Sequence, residues 1–129
     1  MTPDFAVVTA YVPVAELLPI ARAADRWGYG SLTVADHVVD LESLATPYPY
    51  EESGERRWSH EADWPDPWVA FAAAGAVTER LRFLTTIYVA ALRSPYQVAK
   101  SVGTAAALTG GRVSLGVGVG WCREEFDLL

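Results

Sequence analysis

The run Phe5–Val12 (FAVVTAYV) is short, β-branched and aromatic, and Pro13 ends it, which predicts a buried first strand. From Val14 to Trp27 the apolar residues Leu17, Ile20, Ala21 and Ala24 recur at helical spacing, with Glu16, Arg22, Asp25 and Arg26 between them, which predicts an amphipathic helix. Pro19 has no backbone donor, so that helix either begins late or bends there. Gly28 and Gly30 punctuate its end, and Ser31–Ala35 (SLTVA) reads as a second strand running into the polar pair Asp36 and His37. Residues 38–66 keep no period and read as one long loop. Connections beyond about 12 to 15 residues are usually functional or disordered, and Tyr48, Tyr50, Trp58 and Trp64 argue for a packed, functional excursion. Asp66 and Pro67 form a cap-and-proline start for a helix over Trp68–Arg80, and Leu81–Val89 (LRFLTTIYV) is a third strand. Ser94 and Pro95 repeat the cap signal for a helix to about Thr109, Gly110 and Gly111 stop it, and Arg112–Val119 (RVSLGVGV) is a fourth strand. Residues 120–129 read as a loop that approaches a further helix without forming it.

Strands alternating with helices make right-handed parallel units, so the sheet is expected to be parallel and covered by helices. A doubly wound sheet of four or five strands and part of a β/α barrel both fit, since a complete barrel needs roughly 200 to 250 residues and the chain has 129.

The composition, 51% hydrophobic and 20% charged, is that of a globular protein. A net charge of -6 leaves no basic stripe for phosphates, so neither nucleic acid nor an anionic membrane surface is an expected partner. The longest apolar stretches, such as Val69–Val77, are too short to span a bilayer, and the first twenty residues carry no Lys or Arg of the kind that opens a secretory signal. A soluble cytoplasmic protein is therefore expected. Cys122 is the lone cysteine, which excludes an internal disulfide framework and a cysteine zinc cluster, and no metal is expected.

Candidate chemistry collects at strand ends. Asp36 and His37 close the second strand, on the face where parallel barrels place their active sites. Histidine as a class passes protons near neutral pH, although a histidine that simply caps the strand and holds the loop fits equally well. Thr85, Thr86, Ile87 and Tyr88 end the third strand, where core packing is the default. Gly116, Gly118 and Gly120 alternate on one side of the fourth strand. They are no dinucleotide fingerprint, because Trp121 occupies the third glycine position and the run sits inside a strand that follows a helix. Room for close packing is one reading of the stripe, and room for a flat ring is the other. Trp121, with Glu125 beyond it, walls a pocket or merely packs. The loop aromatics form a lid or bury the loop. His60 carries no assignment, and Ser94 has no base partner and reads as a cap.

Three segments resemble one family closely: Ala21–Val39 (ARAADRWGYGSLTVADHVV), Asp66–Phe83 (DPWVAFAAAGAVTERLRF) and Leu92–Phe126 (LRSPYQVAKSVGTAAALTGGRVSLGVGVGWCREEF), with the PYPY run at Pro47–Tyr50. Together they resemble the luciferase-like monooxygenase superfamily, and within it the class using the deazaflavin coenzyme F420. The last segment is the most specific, joining a helix cap, a Gly-Gly-Arg turn, a glycine-striped strand and Trp-x-x-x-Glu in fixed order. The resemblance implies an α/β fold, a parallel β/α (TIM) barrel of which residues 1–129 supply the first four units, a half barrel with a long insertion at about 38–66. It implies an oxidoreductase that moves a hydride between coenzyme F420 and a small organic substrate, with an FMN-dependent monooxygenase as the alternative. It places His37 near the reactive ring with Asp36 orienting it. A non-proline cis peptide is implied between Thr86 and Ile87, where Thr85, Thr86 and Ile87 back the ring; Gly118 would admit it, and Tyr88 and Trp121 would line the substrate pocket. Some sugar-phosphate dehydrogenases of the family carry a catalytic Glu where Trp121 stands, so their substrate does not carry over. A half barrel also leaves two open strand edges and an apolar inner face, which implies self-association and a non-catalytic fragment as a further alternative. The loops that grip the coenzyme phosphates would come largely from the missing half.

Overall fold

The computed structural model of the chain describes residues 4–129. Four parallel strands, β1 (Ala6–Val8), β2 (Ser31–Val34), β3 (Arg82–Thr85) and β4 (Val113–Ser114), lie side by side in the order β1-β2-β3-β4. The pairings run from Ala6 opposite Ser31, through Ser31 opposite Arg82, to Phe83 opposite Val113. A doubly wound sheet reverses its strand order at a switch point; this sheet does not, which removes that option among the described residues.

Helices α1 (Leu17–Trp27), α2 (Pro67–Gly75) and α3 (Pro95–Leu108) are the crossovers, with α2 packed against both α1 and α3. The core between helices and sheet is built from Leu17, Ala21 and Ala24 of α1, Leu32 and Val34 of β2, Trp68, Phe71 and Ala74 of α2, and Phe83 of β3. Pro19 is accommodated because α1 begins at Leu17 after a short 3-10 turn at Val14–Glu16. The proline therefore falls in the first helical turn, where no intrahelical donor is lost. The helix ends at Gly28, whose φ of 79° is the left-handed value that closes a helix. Asp66 caps α2 by accepting from the amides of Trp68 and Val69 at 2.9 and 3.0 Å, with Pro67 at the first position, as the sequence predicts. Ser94 departs from expectation: it occupies the cap position of α3, but its hydroxyl makes no capping hydrogen bond.

Two staples at the N-terminal side of the sheet, next to the starts of β3 and β4, tie the crossovers together. The Arg112 guanidinium donates to Thr109 O, Leu81 O, Gly75 O and the Thr78 hydroxyl. The Asp25 carboxylate accepts from the amides of Glu79, Arg80 and Leu81 at 3.1, 2.8 and 2.7 Å. Burial opposes ionisation of Asp25, but the three amides prevail and hold it below the ordinary carboxylate range.

The strands are shorter than their apolar runs because the ladder stops where the site begins. Beyond Thr85 it resumes only as a single bridge between Tyr88 and Val117. The last ten residues correct the sequence reading, since a helix does form there, α4 (Arg123–Leu128). No helix among the described residues is long and apolar enough to cross a membrane.

Candidate active site

The C-terminal ends of β1, β2 and β3, the glycine segment after β4, the 38–66 loop and α4 enclose a cavity of about 430 Å³. His37, three residues beyond the end of β2, lines it. Its Nδ1 lies 2.7 Å from Glu125 Oε2, and the other carboxylate oxygen, Oε1, accepts from the amides of Val38 and Val39 at 2.8 and 3.1 Å. Glu125 is 2% exposed. Burial disfavours its charge, yet the hydrogen bond from His37 and the two amides outweigh that and lower its pKa. An ionised Glu125 can only accept, so His37 Nδ1 carries a proton and Nε2 is the working nitrogen. Nε2 makes no hydrogen bond among the described residues, and the ring lines the cavity.

Glu125 thus holds the post that Asp36 was expected to fill. Asp36 faces the other way, in a two-pronged pair with Arg93 (Nη1 to Oδ2 2.8 Å, Nη2 to Oδ1 2.7 Å), and accepts from the amide of Val89 at 3.0 Å. Its side chain is 1% exposed. It ties the end of β2 to the start of α3 and reaches His37 only through the backbone.

Alternation along the third strand region sorts its residues. Thr86 and Ile87 line the cavity, and the peptide between them is cis. Thr85 is fully buried and bridges to the backbone of Gly116, its hydroxyl donating to Gly116 O and accepting from Gly116 N, both at 2.9 Å. It is not in the cavity wall. Nor is Tyr88, a second correction to the expected pocket: it turns toward the helices, 2% exposed, edge-on to Trp68 at 5.2 Å and beneath Arg93 at 4.4 Å. Gly118 does line the cavity, and a Cβ there would lie 2.3 Å from Ile87 Cδ1, so its bareness makes room for Ile87.

Aromatic rings make the opposite wall. Trp64 meets His37 edge-on at 4.7 Å, Trp121 at 5.8 Å, and Trp58 lies tilted at 5.4 Å. Tyr48 bridges Trp58 and Trp121, 5.2 Å from each. Tyr11, which the sequence reading passed over, stacks on Trp58 at 5.6 Å from a left-handed backbone (φ 64°) at the end of β1. The 38–66 loop is fastened over this wall by α4 as well, through Glu124 Oε1, which accepts from the amides of Ala45 and Thr46 at 2.8 Å each. The Thr46 amide foremost holds the Glu124 carboxyl down at about 2.

The profile of the luciferase-like monooxygenase family matches residues 2–129. The chain belongs to that family. An uncharacterized protein of Mycobacterium tuberculosis is 38% identical over 112 residues, covering 87% of this chain and 39% of the relative. An F420-dependent glucose-6-phosphate dehydrogenase of Intrasporangium calvum is 32% identical over 111 residues, 84% of this chain and 33% of the relative. Among solved structures, the oxygenating constituent of 3,6-diketocamphane monooxygenase from Pseudomonas putida, in complex with FMN, superposes with a TM-score of 0.74 at 17% identity, covering 98% of this chain and 32% of that one. This luciferase-like chain therefore spans less than two fifths of the length of each of these proteins.

Proposed function

We propose that residues 1–129 are the N-terminal half of a luciferase-like β/α barrel, and that the intact barrel is an oxidoreductase moving a hydride between coenzyme F420 and a small organic substrate. The observation that carries the reading is the His37–Glu125 pair, set at the carboxyl ends of parallel strands and facing a cavity of ligand size. The walls suit a flat ring: Thr86, Ile87 and Gly118 stand on one side and the edge of His37 on another, and the two carboxylates of the lining, Asp36 and Glu125, are buried and paired with Arg93 and His37. When bound, the deazaflavin would supply or accept the hydride and its two electrons. His37 Nε2 gives or takes the proton that accompanies hydride transfer, while Glu125 fixes the tautomer and orientation that leave Nε2 available. The Trp58, Trp64 and Trp121 wall excludes water from that exchange. Asp36 serves as a structural tie through Arg93.

The similarity to an F420-dependent dehydrogenase favours the deazaflavin. An FMN-dependent monooxygenase is the second reading, favoured by the fold shared with an FMN complex. Titration of the protein with each cofactor, followed through tryptophan fluorescence and then through turnover of the reduced forms, separates the two. Tighter binding and turnover of the deazaflavin supports the first, and FMN with oxygen consumption supports the second. Binding of neither leaves a non-catalytic or self-associating module.

A further inference from the structure

We infer that the cavity takes a neutral, largely apolar organic molecule bearing a single hydroxyl or carbonyl oxygen, and that it discriminates against phosphorylated and other charged substrates. This deepens the oxidoreductase reading and rests on it for the chemistry, though not for the binding.

Charge bookkeeping comes first. The lining contains no Lys or Arg, and its two carboxylates are already committed, Asp36 to Arg93 and Glu125 to His37. A phosphate monoester placed here would have only one imidazole edge to answer its charge, with the Glu125 carboxylate behind that imidazole. An anion taken from water without a partner is strongly disfavoured. The nearby guanidiniums do not help: Arg93 is held by Asp36, Arg56 by Asp40, and Arg57 by Glu51. None of the three faces the cavity.

The wall chemistry then selects what fits. Trp58, Trp64, Trp121 and Tyr48 present apolar rings already braced against one another at 5.2 to 6.3 Å. They can cover a small apolar ring at little further entropic cost. The polar functions left over are few and neutral. His37 Nε2 makes no hydrogen bond among the described residues, the lining hydroxyls belong to Tyr11, Tyr48, Tyr50 and Thr86, and burial keeps the Tyr48 hydroxyl protonated by raising its pKa. That set matches an uncharged oxygen function rather than an ionic group. A cationic ligand would find aromatic faces but no free carboxylate.

The test is an equilibrium titration of the protein read through tryptophan fluorescence, since three of its five tryptophans line the cavity. Cyclohexanol, glucose 6-phosphate and tetramethylammonium are compared, with and without oxidised deazaflavin. Cyclohexanol is expected to bind at least about tenfold more tightly than either ion. Trp121→Ala should weaken it about fivefold or more, and Trp121→Phe should restore it to within about twofold of the parent. Equal or tighter binding of glucose 6-phosphate or tetramethylammonium overturns the inference, as does failure of cyclohexanol to bind up to its solubility. Cyclohexanol selectivity without cofactor binding leaves the inference standing and removes the oxidoreductase reading. Cofactor turnover with a sugar phosphate does the reverse.

Discussion

Replacing Glu125 by glutamine tests the central geometry most directly, because it keeps the side chain's volume while changing one hydrogen-bonding role. The Gln carbonyl can still accept from the amides of Val38 and Val39, but its NH₂ group then faces His37 Nδ1, which must become an acceptor. The ring proton is forced to Nε2, the tautomer opposite to the one the carboxylate imposes. The stability cost is the difference between charged and neutral hydrogen bonds, about 1 kcal/mol, or roughly 0.5 to 1 M in the urea midpoint at a slope of about 1 to 2 kcal/mol per M. Glu125→Ala instead orphans three donors beneath a side chain that is 2% exposed and should cost about 3 kcal/mol, a large share of a marginal total. Imidazole nitrogen NMR reads the tautomer without ambiguity of assignment, because His60 is the only other histidine. The expected result is a proton on Nδ1 in the parent and on Nε2 in the glutamine variant. On the oxidoreductase reading proposed above, proton-coupled turnover by the intact barrel should fall by roughly a hundredfold or more. An unchanged tautomer with unchanged turnover would refute the assignment of Glu125 as the group that positions His37.

Three further outcomes follow from other contacts. Glu124, Glu125 and Asp25 all have pKa values lowered by folding, so in acid the unfolded chain binds more protons than the folded one. Their stabilisation is complete above the ordinary carboxylate range and is lost as pH falls toward about 2, where Glu124 titrates; thermal midpoints across that range should drop, and Glu124→Gln should flatten the slope, whereas parallel curves would contradict it. Gly116→Ala should destabilise by about 3 kcal/mol and Gly118→Ala by about 1, because the new Cβ meets the immovable Thr85 carbonyl at 2.3 Å in the first case and the rotatable end of Ile87 in the second; denaturant midpoints in the opposite order would contradict the packing reading. Val8, Val117 and Val119 stand 65%, 61% and 86% exposed on the outermost strand segments, so the isolated chain should sediment with a mass that rises with concentration, and a concentration-independent monomer would contradict the half-barrel proposal.

The layout of strands and crossover helices was legible because each rests on local signals. The periodicity of α1, the Asp66–Pro67 cap and the stop at Gly28 all act within a few residues. Strand lengths were overestimated, since the apolar runs Leu81–Val89 and Arg112–Val119 continue through the site, where the ladder is reduced to the single Tyr88–Val117 bridge. The orientation of Tyr88 was missed because alternation is interrupted at Thr86–Ile87, so counting by twos from Phe83 gives the wrong face beyond it. The helix at residues 123–128 was missed because it is six residues long and too short to announce itself by period. The Cys-Arg-Glu-Glu start, which places two acids in its first turn, was the available signal.

The partner of His37 was hidden for a different reason: Glu125 lies 88 positions away and contact between them is purely tertiary. A six-residue helix has no stability of its own in water, so α4 is held by what it buries, chiefly Cys122 and Glu125, 4% and 2% exposed, and by the acceptors it offers the loop. Those acceptors divide the work. Glu125 takes the turn at residues 37–39, and Glu124 takes residues 45–46 at the root of the aromatic wall. Docking of α4 therefore sets two things together, the tautomer of His37 and the seating of Tyr48 and Trp58 around it. An opening of the loop at residues 45–46 must strain hydrogen bonds to the same short helix that orients the imidazole, so the seating of the wall and the orientation of His37 are coupled through α4.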